Sequence, residues 1–179
     1  YWALSEKQDF HVIPTDTISI SIDKDAVLRS GIMLPDSIRH LKGKELKNAI
    51  PDKIYISLKD MRILTKVDML MLEMLANCNW ERPLYMAISV GEVSKLKFDH
   101  YFVQEGLAFR FTPFDYKKWG NVKGDNNYAI DVERLYENVM NRYKYGGLDT
   151  PGLYLDETTL RTCYYHRRLF AQLAKELIR

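Results

Sequence analysis

The sequence predicts an α/β (or α+β) fold, in which a mixed, partly parallel sheet of about four strands packs against helices. Segments 17–23 and 106–113 alternate between apolar and polar residues, as half-buried strands do. A near-continuous apolar run over 84–90 is typical of a central strand covered on both faces. A helix predicted over 67–77 precedes this run, which favours a parallel crossover between the second and third strands.

The first part of the chain is expected to contain two strands separated by an irregular stretch. Segment 17–23 is the first strand, and a short helical turn over 23–28 follows it. Glycines and prolines among many charges indicate an irregular stretch over 31–52, with one short helix around Glu45. Segment 53–59 alternates again and is predicted as the second strand.

The helix over 67–77 has a clear start signal. Thr65 and Asp68 have the spacing of a capping box, in which each side chain binds the other residue's amide. The helix is apolar almost all round, so we expect it to be buried on most sides. Pro83 precedes the third strand, where its missing N–H matters least.

The second half is predicted to contain the fourth strand and two helices. Segment 106–113 is that strand, and we expect loops over 92–103 and 114–129 on either side of it. Apolar residues at helical spacing predict a helix over 131–145 and a last helix over 156–179.

Two domains are expected from this pattern. Residues 1–155 form the α/β domain, and residues 156–179 form a C-terminal helix that could begin a helical-repeat region. Gly146 and Gly147 have the positions of a helix C-terminal signal and are interpreted as structural.

Composition limits the classes of function. The chain has 179 residues and a net charge of +2, so we expect no nucleic-acid partner. It has no apolar run of about 18 residues, so we expect no direct membrane insertion by this segment. It starts with Tyr1 rather than Met, which suggests a piece of a longer protein.

Standard catalytic and metal motifs are missing from the sequence. There is no GxSxG, no phosphate-binding GxxxxGK[ST] loop and no HExxH, and the four histidines are scattered. We therefore predict no catalytic residue, no metal site and no cofactor. Cys78 and Cys163 form no metal motif, and a disulfide between them is left open.

The stretch NWERP combines an aromatic, an acid and a base, and so resembles a site. It lies at the N-terminal end of the predicted third strand, whereas ligands of open α/β sheets usually bind beyond the carboxyl ends. We therefore interpret it as a structural corner between helix and strand. Its residues are Asn79, Trp80, Glu81, Arg82 and Pro83.

Candidate binding residues are predicted at two other places. The first place is the carboxyl end of the third strand together with polar residues at the fourth strand. The second is the group of aromatic residues in the C-terminal half, which suit a sugar-binding surface. These candidates are Gly91, Glu92, Glu105, Arg110, Trp119, Tyr143 and Tyr145.

Several segments together carry a resemblance to a known family. They are 64–70 leading into 79–87, 101–110, and 138–147 with 154–157. In order and spacing they resemble the C-terminal soluble region of large multi-pass membrane proteins of Gram-negative bacteria. That family is similar to the protein O-mannosyltransferases, membrane glycosyltransferases that use lipid-linked sugars.

The resemblance implies a setting rather than a mechanism. In that superfamily the catalytic acids lie between transmembrane helices, so none can be assigned to this chain. It implies a non-catalytic accessory domain at the periplasmic face of the inner membrane, which positions the acceptor or stabilises the enzyme. Its partner would be the transmembrane domain of the same protein. The alternative is an interaction module that binds glycan or an envelope protein. An independent enzyme is disfavoured by the missing motifs.

Overall fold

The computed structural model describes residues 15–59, 61, 63–90, 96, 99–120, 128–148 and 150–178. The strands are β1 (Thr17–Ser21), β2 (Lys53–Ser57), β3 (Tyr85–Ala87), β4 (Phe102–Gln104), β5 (Ala108–Phe111) and β6 (Ala129–Ile130). The α-helices are α1 (Lys24–Arg29), α2 (Gly43–Ala49), α3 (Lys66–Asn77), α4 (Val132–Tyr136) and α5 (Glu157–Leu177). A 3-10 turn (Asp99–Tyr101) precedes β4, and a π-helix (Glu137–Arg142) continues α4.

The strands form two sheets. β1 and β2 make an antiparallel pair, and the other four make a mixed sheet in the order β3-β5-β4-β6. Within the described strands, only β4 and β6 pair in parallel. The predicted mixed, partly parallel sheet with packed helices is thereby confirmed. The predicted crossover is wrong, because β2 and β3 belong to different sheets and α3 joins the two sheets instead.

The third strand differs from its prediction as a central strand. β3 covers only Tyr85–Ala87 and lies at an edge of the four-stranded sheet, paired with β5. Leu84 and Met86 pack on the main core and Ile88 packs on a second cluster, whereas Tyr85 is 51% exposed. Successive residues of the apolar run therefore pack on two different hydrophobic clusters along one edge of the sheet. In the sequence, this gives the same pattern as a strand buried on both faces.

Helix α3 begins as predicted but is less buried than predicted. The Thr65 hydroxyl accepts the Asp68 N–H at 3.2 Å, and the Asp68 carboxylate accepts the Thr65 N–H at 2.8 Å, which confirms the capping box. Leu75 is buried, but Met69 and Leu70 are each 60% exposed. The expected burial on most sides is wrong, because α3 packs beside the β1–β2 pair and leaves an apolar face uncovered by the described chain.

The predicted helix over 131–145 is shorter and changes its winding. Asp131 caps it by accepting the Arg134 N–H at 3.0 Å. After α4 the chain continues as the π-helix, which ends where the Tyr143 N–H bonds to the Asn138 carbonyl at 2.9 Å. The loops predicted over 92–103 and 114–129 contain most of β4 and part of β6.

Two hydrophobic clusters stabilise these elements. The larger one joins α1, the β1–β2 pair and the four-stranded sheet. The smaller one joins α4 and the π-helix to α5 through Leu135, Val139, Leu169 and Leu173. Helix α5 starts at Glu157, close to the predicted position. Its separation as a domain stays a prediction.

Candidate functional site

A cleft of about 560 Å³ opens between the β3–β5 edge of the sheet and the α4–π-helix segment. The sheet and its β4–β5 turn contribute three of the lining residues, and the helical side contributes five. The lining residues are Tyr85, Glu105, Ala108, Arg134, Glu137, Asn138, Arg142 and Tyr143. Its volume lies within the range of roughly 300–1,000 Å³ that is usual for small-molecule sites.

Glu105 forms the inner wall of the cleft, at the end of β4. Its Oε1 accepts hydrogen bonds from Arg134 Nη1 at 2.8 Å and from Arg110 Nη1 at 3.5 Å. Its Oε2 accepts the Tyr85 hydroxyl at 2.9 Å, and its backbone carbonyl accepts Asn138 Nδ2 at 2.6 Å. Side chains from both walls of the cleft thus meet at this one buried residue.

Arg110 lies behind the wall and connects the cleft to helix α1. Its side chain is only 4% exposed, and its Nη2 donates to the Ser30 carbonyl at 2.8 Å. Arg134 Nη2 also donates to the adjacent Gly31 carbonyl. Because free carbonyls at a helix end attract cations, the two guanidiniums are held both by the end of α1 and by Glu105.

Burial and hydrogen bonding shift the pKa values of two ionisable groups beside this network. Burial is the main cause that raises the pKa of Asp131, although the N–H and the guanidinium of Arg134 oppose the shift. Burial, followed by the hydrogen bond to Glu105, raises the pKa of Tyr85. The Tyr85 hydroxyl therefore stays protonated at neutral pH and acts as a donor to the carboxylate.

The π-helix supplies the outer rim of the cleft. Glu137 Oε1 pairs with Arg142 Nε at 3.4 Å, and its Oε2 accepts Asn141 Nδ2 at 2.6 Å. The hydrogen bond from Asn141, followed by the contacts with Arg142, lowers the pKa of Glu137. The rim carboxylate is therefore ionised and paired, and π-helical turns occur often at functional sites.

Tyr143 ends the helical wall against the β4–β5 turn. Its hydroxyl oxygen accepts the Leu107 N–H at 2.9 Å. Gly106 lies beside it with φ of +145°, and a Cβ added there would overlap the Tyr143 hydroxyl. This close approach requires glycine and fixes the distance between the two walls.

The structure brings together some of the predicted binding residues. Glu105 and Tyr143 line the cleft, and Arg110 supports Glu105 from behind. Trp119 instead packs edge-on against Phe114, with ring centroids 6.3 Å apart.

Other predicted binding residues lie away from the cleft or outside the described residues. Tyr145 is not among the lining residues of the cleft. Its ring contacts His166, and its hydroxyl donates to the Val139 carbonyl at 2.6 Å. Gly91 and Glu92 lie outside the described residues.

The NWERP corner has the geometry of a structural turn. Asn79 and Trp80 have φ of 47° and 61°, and the Trp80 indole donates to the Ser21 carbonyl at 3.0 Å. The indole is buried and stacks on Phe111. The corner's other three residues, Glu81, Arg82 and Pro83, are exposed.

Gly146 and Gly147 lie in an exposed turn. Their φ values are 59° and 74°, in the region that favours glycine. This turn follows the π-helix, and neither glycine lines the cleft.

Apart from Tyr143, sequence reasoning missed the helical side of the cleft. Arg134, Asn138 and Arg142 are four residues apart, so the sequence does contain a polar stripe there. Such a stripe is ordinarily the solvent face of a helix. Only the position of this stripe opposite Glu105 distinguishes it from an ordinary solvent-facing stripe.

Fold and cleft define a mixed α/β domain with a polar site open to solvent. Its two cysteines are free, and the described residues contain no cluster suited to a metal ion. None of the described helices is both long and apolar enough to cross a membrane.

The chain belongs to the family described as TMEM260-associated domain 2, whose model matches residues 2–133. This description places the domain with a larger membrane protein. The matched span includes the sheet side of the cleft, and the helical side follows it from Arg134 onward. Comparisons with curated proteins and with solved structures gave no match.

Proposed function

We propose that this chain is a non-catalytic accessory domain of a membrane glycosyltransferase and that its cleft positions the acceptor. The observation that carries this proposal is the state of the two cleft carboxylates. Both oxygens of Glu105 and both oxygens of Glu137 already accept bonds from protein donors. A wall of groups that hold one another in place is suited to binding and orientation more than to proton transfer.

Membership of the TMEM260-associated family supports the setting of a larger membrane protein. The resemblance of the same segments to the outer region of O-mannosyltransferase-like proteins supports a parent that uses a lipid-linked sugar. In this proposal the domain faces the periplasm at the inner membrane, and its first partner is the transmembrane part of its own protein.

The test uses the full-length parent protein in membranes, with transfer from a lipid-linked sugar as the readout. Deletion of this domain should strongly reduce transfer, and the isolated domain should transfer nothing. The variant Arg142→Ala should reduce transfer while leaving the amount of protein in the membrane unchanged. Arg161→Ala, which alters an exposed arginine on α5, is the matched control. Normal transfer by the deletion protein would refute the proposal.

A second function, that of a protein-binding module, is favoured by one specific observation. Helix α3 exposes Met69, Leu70 and Met74, although its Leu75 is buried, and Ile63 just before the helix is exposed as well. Exposed apolar patches of this kind often mark protein contacts. If α3 docks on the parent's membrane part, Leu70→Glu should release the domain from cross-links with that part. Cross-linking identical to that of the unchanged protein would argue against this function.

A further inference from the structure

We propose that the ligand of the cleft is an uncharged saccharide, whose hydroxyl groups bind the side chains of Glu105 and Arg142. This inference rests on the proposed function, since it names the chemical class of the acceptor. It follows from the charge balance, the hydrogen-bonding groups, the aromatic rings and the shape of the cleft.

The charge balance of the lining residues favours a neutral ligand over an ion. The cleft carries two guanidiniums, Arg134 and Arg142, and two carboxylates, Glu105 and Glu137. Arg134 pairs with Glu105 at 2.8 Å, and Arg142 pairs with Glu137 at 3.4 Å. Because the charges of these lining residues balance, the cleft has no excess charge that would attract an ion, whereas the hydroxyl groups of a neutral ligand can add hydrogen bonds to both pairs.

The hydrogen-bonding groups suit hydroxyls. A hydroxyl donates once and accepts twice, so neighbouring hydroxyls of a sugar can bridge a guanidinium and a carboxylate. Hydrogen bonds to ionised groups are about twice as strong as neutral ones. Asn138 Nδ2 donates a hydrogen bond to the Glu105 carbonyl, and Asn138 Oδ1 has no partner among the described residues. That oxygen adds an acceptor between the two pairs.

The aromatic rings lie on different walls of the cleft. Tyr85 comes from β3 and is 51% exposed, and Tyr143 comes from the end of the π-helix. A flat amphipathic ring offers an apolar face to the C–H groups of a pyranose while its hydroxyl stays polar. The Tyr85 hydroxyl already donates to Glu105, and the half-exposed side chain lines the cleft.

The shape of the cleft suits the end of a glycan. Its volume of about 560 Å³ suits a small-molecule ligand. The exposed Arg142–Glu137 pair forms the rim, and the buried Glu105 forms the inner wall. A terminal sugar unit can therefore reach Glu105 while the rest of an acceptor stays outside.

The experiment titrates the 179-residue chain with sugars while NMR amide shifts are recorded. The neutral probes are methyl glycosides of glucose, mannose and galactose, and the charged probes are glucose 6-phosphate and glucosamine. We expect at least one neutral glycoside to shift signals of the cleft residues saturably. Arg142→Ala should weaken this binding by about tenfold or more, since one charge-assisted hydrogen bond contributes that much.

Matched variants separate binding from folding. Tyr85→Phe keeps the ring and removes only the hydroxyl, so it should retain more affinity than Tyr85→Ala. Tyr154→Ala, at an exposed tyrosine that does not line the cleft, should bind like the unchanged chain. Equal affinity of Arg142→Ala and the unchanged chain would overturn the proposed site.

Two results would overturn the ligand class. One is binding of glucose 6-phosphate or glucosamine at the cleft with no binding of neutral glycosides. The other is the absence of any saturable shift. Either could occur while deletion of the domain still abolishes transfer, in which case the accessory role would stand. Saccharide binding together with normal transfer by the deletion protein would instead support a glycan-binding module and refute the accessory role.

Discussion

Replacement of Glu105 by Gln should destabilise the protein, because it leaves a buried guanidinium without a paired carboxylate. Arg110 is 4% exposed, and Glu105 is the carboxylate that it contacts. Removal of one partner from a buried ion pair typically costs about 3–5 kcal/mol. Arg134 is 38% exposed, so water screens its loss and we add nothing for it.

The expected loss is therefore near the lower limit, about 3 kcal/mol, because the Ser30 carbonyl still accepts from Arg110 at 2.8 Å. For a chain of this size, it corresponds to a melting temperature lower by roughly 6–12 °C. Urea unfolding followed by circular dichroism would measure the free energy of unfolding directly. Glu137→Gln is the matched control, since its carboxylate lies on the exposed rim, and its unfolding midpoint should not change measurably.

A double variant tests the cause of the loss. Glu105→Gln combined with Arg110→Met removes the buried charge along with its partner and should recover most of the lost stability, since apolar replacements of buried pairs are often tolerated. If the double variant were as unstable as Glu105→Gln alone, an unpaired charge would not be the cause. A loss below about 1 kcal/mol for the single variant would refute the reasoning at its first step.

Three further predictions concern other parts of the structure. Trp80→Ala should cost roughly 3–5 kcal/mol in urea unfolding, because a buried indole is lost, whereas Tyr154→Ala at an 88% exposed ring should have little effect. Gly106→Ala should cost at least about 1 kcal/mol through its positive φ and the overlap with the Tyr143 hydroxyl, and adding Tyr143→Phe should recover part of that loss. Burial lowers the pKa of His100, so the unfolded chain binds more protons near pH 6.5. The free energy of unfolding should therefore fall as the pH drops from about 7.5 through 6.5, and fall less in His100→Gln.

Local features of the fold could be predicted from the sequence, because their causes lie within a few residues. The Thr65–Asp68 capping box needs only one helical turn, and the strand alternation over 17–23 and 53–59 needs only one apolar face. Strand pairing is decided by distant partners. Most of β4 lies in the segment predicted as a loop over 92–103. The strand is only three residues long, and its pairing with β5 and β6 supplies what local propensity does not.

The candidate site shows the same limit. Glu105 and Tyr143 could be identified individually as polar and aromatic residues near element ends. Their meeting depends on Gly106 and on the change from α- to π-winding after Tyr136, and neither signals a cleft in the sequence. Arg134 lies in a polar stripe of the kind that usually faces solvent, and a helix sequence does not show which residues pack opposite it.

Glu105 contributes both to the stability of the fold and to the cleft, so the two contributions need different experiments. Its Oε1 stabilises the fold through Arg110 and Arg134, while Tyr85 on its Oε2 forms part of the cleft. A variant at Glu105 therefore changes stability and binding together, whereas Arg142 can be changed without disturbing the buried pair. The arrangement also favours binding. The inner wall is ordered before any ligand arrives, so only the exposed rim must lose conformational freedom.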